Sequence, residues 1–116
     1  MKAQIIKKRL EYILSKLTPH GPITARAMFG GYGIYYGKVI FASLVEGKLF
    51  FRVDETNEKD YHSYGSEPFV FEGGKKPAVM PYLTLPEEIL ENPKQLPRWI
   101  EKSKQASLRY RRKKSK

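Results

Sequence analysis

The stretch Lys38-Val39-Ile40-Phe41-Ala42-Ser43-Leu44-Val45-Glu46-Gly47-Lys48-Leu49-Phe50-Phe51-Arg52-Val53 decides the fold. Two apolar runs flank Glu46-Gly47, which predicts a β-hairpin. In the second arm Leu49, Phe51 and Val53 alternate with Lys48, Phe50 and Arg52, so one face is apolar and the other partly polar. Tyr36-Gly37-Lys38 supplies an earlier turn, giving three antiparallel strands near residues 32–36, 39–45 and 48–53. A polar stretch over 54–66 follows. Asp54 is placed to cap a short helix that begins near Glu55 and stops at Gly65.

Downstream, Phe69-Val70-Phe71-Glu72 and Ala78-Val79-Met80-Pro81-Tyr82 flank Gly73-Gly74-Lys75-Lys76, a second hairpin. Pro81 has no N–H to give, so its strand lies at a sheet edge or bends there. Pro86-Glu87-Glu88 opens a one-turn helix. Asn92-Pro93-Lys94-Gln95 then starts the last helix, with Asn at the cap and Pro in the first turn. Leu96, Trp99, Ile100, Ser103, Ala106 and Tyr110 mark its narrow apolar stripe, so the helix docks through Trp99. Upstream, Ile6, Leu10, Ile13, Leu14 and Leu17 recur at three-and-four spacing opposite Lys7, Lys8, Glu11, Ser15 and Lys16, an amphipathic first helix. Thr18-Pro19-His20-Gly21-Pro22 ends it.

The chain has 116 residues, 41% of them hydrophobic, with 8 Tyr, 6 Phe and 1 Trp, enough for one α+β domain with a packed core. The absence of cysteine excludes disulfides, thiolate metal sites and Cys nucleophiles. The N-terminal lysines interleave with apolar residues rather than preceding an apolar run, so no secretory signal or membrane span is expected and the cytoplasm is the expected compartment.

The net charge of +10 is uneven. Residues 1–17 carry +4, residues 18–97 carry −2, and residues 98–116 carry +8. Six of the last eight residues are basic: Arg109, Arg111, Arg112, Lys113, Lys114 and Lys116. Such density self-repels, which reads as a disordered, solvated tail over 109–116 behind a domain over 1–108. The tail is either a solubilising extension or a contact for nucleic acid, and phosphate neutralisation alone gives no sequence preference.

Arg26-Ala27-Met28-Phe29-Gly30-Gly31-Tyr32-Gly33-Ile34-Tyr35 resembles the opening signature of the TfoX/Sxy N-terminal domain family, regulators of bacterial natural competence. Phe50-Phe51-Arg52-Val53-Asp54-Glu55, Gly65-Ser66-Glu67-Pro68-Phe69, Met80-Pro81-Tyr82, and Leu85-Pro86-Glu87-Glu88-Ile89-Leu90 with Asn92-Pro93 resemble its later landmarks in order, so the likeness spans about residues 5–106. It implies a secretion-chaperone-like α+β domain ordered helix, three strands, helix, two strands, short helix and C-terminal helix. It also implies a non-enzymatic regulator that works through protein contacts with the transcription apparatus, without cofactor. Full-length regulators of the family carry a second, helical domain, and this chain is expected to be the first domain alone. A homodimer stays open, as does the alternative of a nonspecific nucleic-acid module working through the tail.

Within the signature, Arg26, Met28, Phe29, Gly30, Gly31 and Gly33 read as structural. A dinucleotide loop needs a helix after its glycines, whereas strand-like Ile34-Tyr35-Tyr36 follows here, and no Gly-Lys-Ser/Thr is present. The glycines therefore read as a turn or bulge rather than an anion cradle. His20 and His62 lack ligand spacing, the carboxylates Asp54, Glu55, Glu58 and Asp60 read as a solvated face, and no serine sits in a nucleophile elbow, so neither catalytic residues nor a metal site emerge. Tyr32, Tyr35, Tyr36, Phe41, Phe50, Phe51, Phe69 and Phe71 form either a base-stacking platform or core, and core is the expected use, with two or three at most exposed.

Overall fold

The computed structural model describes residues 2–28 and 30–114. Helix α1 (Lys2–Leu17) and a 3-10 turn (Thr18–His20) lead into strands β1 (Ile23–Met28), β2 (Gly31–Tyr36), β3 (Val39–Val45) and β4 (Lys48–Arg52). Helix α2 (Lys59–His62), strands β5 (Pro68–Phe71) and β6 (Ala78–Thr84), helix α3 (Glu87–Leu90) and helix α4 (Leu96–Lys114) complete the α+β order. The six strands form one antiparallel sheet in the order β1-β2-β3-β4-β6-β5.

The β3–β4 hairpin closes on Glu46 and Gly47, both at positive φ (52° and 81°), the turn geometry whose twist matches paired strands. Gly37 takes φ 62° in the turn before it. Strand β1 is the element the sequence pattern passes over. Its residues Ile23-Thr24-Ala25-Arg26-Ala27-Met28 are small or polar at most positions, and only antiparallel pairing with β2, from Ile23 opposite Tyr36 to Met28 opposite Gly31, makes them a strand.

Pro81 lies in β6, which is interior, so the edge placement fails and the bend holds. The register against β5 slips between Pro68 and Phe69, and the Pro81 carbonyl accepts from the Val53 N–H beyond the end of β4. A slipped register is where a residue without an N–H disturbs a ladder least. Helix α2 is shorter than the sequence suggests, because Asp54 caps a turn instead of a helix. Its carboxylate accepts from the N–H and hydroxyl of Thr56 (2.9 and 2.6 Å).

Alternation splits the sheet into two faces. Ile34, Ala42, Leu44, Leu49 and Phe51 point to one side and are buried with Leu10, Ile13 and Leu17 of α1 and Leu96, Trp99 and Ile100 of α4. Trp99 packs edge-on against Tyr61 (4.7 Å between centroids) and Tyr64 (5.8 Å). Asn92 Oδ1 accepts from the backbone N–H groups of Lys94 and Gln95, so it caps the turn over 93–95 that leads into α4 at Leu96 rather than the first residue of the helix itself. Both long helices thus cover the same face of the sheet, and α1 is tied to the α3 region by Arg9 with Glu87 and by Lys16 Nζ to Glu91 (2.9 Å).

Helix α4 does not give way to coil at Arg109 but stays helical to Lys114. The reason is a set of contacts that single-chain charge counting overlooks. Arg109 Nε donates to Asp54 Oδ2 (2.8 Å), its Nη2 donates to Asp54 Oδ1 (3.2 Å) and to Thr56 Oγ1 (2.7 Å), and the Tyr110 ring lies 4.6 Å from the Arg52 guanidinium. Six residues of the expected tail, 109–114, therefore belong to α4.

Candidate functional site

The opposite face of the sheet carries the other alternating set: Arg26 and Met28 on β1, Gly31, Gly33 and Tyr35 on β2, Ser43 and Val45 on β3, Phe50 and Arg52 on β4, Met80 and Tyr82 on β6, Phe69 and Phe71 on β5. None of these belongs to the core cluster beneath the helices. Laid flat, β1 and β5 at the two ends of six strands would be about 24 Å apart, at about 4.8 Å per gap. Yet Met28 of β1 and Phe69 and Phe71 of β5 line one cavity of about 340 Å³, together with Ile40, Val45 and Met80. The sheet curls until its edges face each other across a trough.

Two glycines of the signature let it curl. A Cβ on Gly31 would collide with the Leu44 carbonyl oxygen, and one on Gly33 would stand 2.5 Å from Met28 Sδ and 3.0 Å from Ile40 Cδ1. Neither glycine has positive φ. They are needed for close approach, while Gly30 at φ 77° makes the β1–β2 turn. Phe29 lies outside the described residues.

The floor of the trough is well packed. Phe50 is 5% exposed, lies 5.1 Å from Phe69 between ring centroids, and is buried without a helix over it. Tyr82 is also buried, and burial pushes its phenol upward in pKa against the opposing pull of Arg52. Met28, Met80 and Phe71 stand at the rim at 36, 36 and 39% exposure. The eight aromatic residues therefore divide: Phe41 and Phe51 sit edge-to-face under the helices at 5.4 Å with Tyr32 and Tyr36 packed against that core, while Tyr35, Phe50, Phe69 and Phe71 lie on the other face.

Two cations of this face lie over aromatic rings. Arg26 lies over the Tyr35 ring (5.8 Å). The Arg52 guanidinium lies 5.6 Å from the Tyr82 ring and 4.6 Å from the Tyr110 ring at the end of α4. There Arg111 Nη2 donates to the Lys38 carbonyl (3.4 Å), and Arg111, Arg112 and Lys113 are exposed. Lys114 closes the helix and Lys116 lies outside the described residues. Arg109 is set apart from this group by its carboxylate partner. Burial alone would raise the Asp54 carboxyl, but the hydrogen bonds from Arg109 and Thr56 outweigh it and hold the group at about 2, with Arg109 raised in turn.

His20 and His62 sit on separate elements, and among the described residues no three His, Asp or Glu side chains gather to hold a metal ion. No helix among them is long and apolar enough to cross a membrane. The sequence signals found the glycine signature and the basic helix end. They missed Met80 as a partner of Met28, because that meeting depends on β6 inserting beside β4, and they missed Ile40, which meets Met28 over Gly33. Compared with known families, residues 15–107 match the TfoX N-terminal domain. No curated protein matches the chain.

Proposed function

The chain belongs to the TfoX N-terminal domain family, a family of regulatory domains tied to competence, and from that premise we propose that it is a non-enzymatic cytoplasmic regulator acting by protein contact on the transcription apparatus. The observation that carries the proposal is the sheet face without helices, whose apolar trough has Phe71 and Met80 at its rim. Contiguous apolar surface of this kind, bordered by polar groups, marks interaction sites in proteins that otherwise cover their apolar area.

A second reading has its own support, the exposed cations Arg111, Arg112 and Lys113 in the last turns of α4. In it the domain also attracts DNA backbone electrostatically, without sequence preference. One experiment separates the two. The full chain is immobilised and titrated with purified RNA polymerase holoenzyme, then with duplex DNA of two unrelated sequences, beside a variant carrying Arg111→Glu, Arg112→Glu and Lys113→Glu. Protein contact predicts polymerase binding that the variant retains. Absence of polymerase binding, with salt-sensitive DNA binding that the variant loses, refutes the first reading in favour of the second.

A further inference from the structure

We propose that the trough is a docking groove for an acidic amphipathic α-helix of a partner protein, whose aliphatic side chains enter between Met28 and Phe71 while its carboxylates meet Arg26. The inference rests on the reading that this domain acts through protein contact, and it names the chemistry of that partner.

The shape selects a helix. A helix of two turns is about 11 Å long and about 10 Å wide, far larger than a cavity of about 340 Å³. Only its side chains enter, which is how apolar anchors at i, i+3, i+4 and i+7 seat in a groove. An α-helix laid there also gives the curled sheet its missing second layer, since α1 and α4 already occupy the other face.

The lining selects aliphatic anchors. Met28, Met80, Ile40 and Val45 line it together, and thioether side chains reshape around aliphatic groups at small cost. Stacked nucleobases need open ring faces, and here Phe50 and Tyr82 are buried in the floor, leaving Phe69 and Phe71 on one wall.

Charge selects an acidic partner. Arg26 stands exposed on the same face, two residues before Met28 and over the Tyr35 ring, Arg52 lies on that face beside Tyr82, and the chain carries +10 overall. A second copy of this chain would bring the same cations and another +10 against them.

The test uses the full chain and a fluorescein-labelled peptide of about 18 residues, long enough to hold helix, with Leu at i, i+3, i+4 and i+7 and Glu elsewhere on its polar face. Anisotropy is read for this peptide, for a scrambled peptide of equal composition, and for a version with Lys in place of Glu. The expected result is binding of the first peptide at least tenfold tighter than of either other. Phe71→Ser with Met80→Ser should weaken it tenfold or more with little change in melting, because both side chains are already more than a third exposed. Should that pair unfold the chain, Arg26→Glu on the exposed side of β1 carries the same expectation. Equal binding of the scrambled peptide, or no effect of the folded variants, overturns the proposal. Displacement of the peptide by oligo-dT that itself needs Phe71 and Met80 overturns it in favour of a nucleic-acid platform, and a dimer in sedimentation that the same variants dissociate overturns it in favour of a second copy. No transcription component is present, so a failure here and a failure of the polymerase assay are read separately.

Discussion

Asp54→Asn isolates the clamp that holds the last turns of α4. The folded carboxyl titrates at about 2 against an ordinary 3.8, a difference that corresponds to about 2.4 kcal/mol by linkage. The Arg109 side chain remains 32% exposed, and water on that side reduces the expected figure to about 1 to 2 kcal/mol. Because the folded value lies below the unfolded one, the stabilisation is complete above about pH 4, declines as the pH falls towards 2, and is gone once Asp54 is protonated in both states. Asparagine keeps the oxygen that accepts from Thr56 but has no charge for Arg109. Urea denaturation, which adds no screening salt, should therefore show the variant about 1 to 2 kcal/mol less stable at neutral pH and nearly equal to the parent by about pH 2. A second comparison in an Arg109→Met background should remove most of the difference at neutral pH. A gap that stays constant across the whole range, or that widens in acid, would refute the assignment of the stabilisation to this ion pair.

Gly31→Val should cost about 3 kcal/mol or more, since its Cβ meets the Leu44 backbone, whereas Gly33→Val should cost about 1 to 3 kcal/mol because Met28 and Ile40 present flexible side-chain ends, and chemical denaturation ranks the two. Trp99→Ala should cost about 3 to 5 kcal/mol, and the parent Trp99, 7% exposed, should fluoresce blue-shifted and resist quenching. Truncation after Arg111 removes Arg112, Lys113, Lys114 and Lys116 while sparing Arg109 and Tyr110, so stability should move by no more than about 0.5 kcal/mol. The salt slope of any DNA binding should flatten by up to about 3.6 in the same truncation, whereas truncation before Arg109 should also lower the melting temperature.

What could be read from the chain alone was local. The spacing of Leu10, Ile13 and Leu17 places them in the core, the Glu46-Gly47 pair makes its hairpin, and Asn92 caps the approach to α4. Three further features of the fold are nonlocal. β1 has too few bulky side chains to announce itself and becomes a strand through β2. The glycines at 31 and 33 look like turn residues by composition, and their role as thin points in a strand is visible only with Leu44 and Met28 against them. Arg109 looks like one more cation in a basic run until Asp54, 55 residues earlier, is brought to it.

The seam between β4 and β6 has a kinetic consequence. Only Phe50, Phe51 and Arg52 pair there, with Thr84, Leu83 and Tyr82, flanked by the bonds from Val53 to Pro81 and from Leu85 to Leu49. The four-strand meander on one side is built from neighbours in sequence, while the β5–β6 hairpin on the other joins the backbone ladder only through β6 at this seam. Opening it swings Phe71 and Met80 away from Met28 and disturbs the helix-covered core only at its margin, where Leu83 and Leu85 join it. The hairpin should accordingly behave as a separate foldon, its amides at Val70 and Val79 exchanging with solvent well before those of Leu44 and Phe51. Whatever enters the trough then slows that exchange by holding the two walls together, so the width of the groove and the lifetime of the seam are one variable.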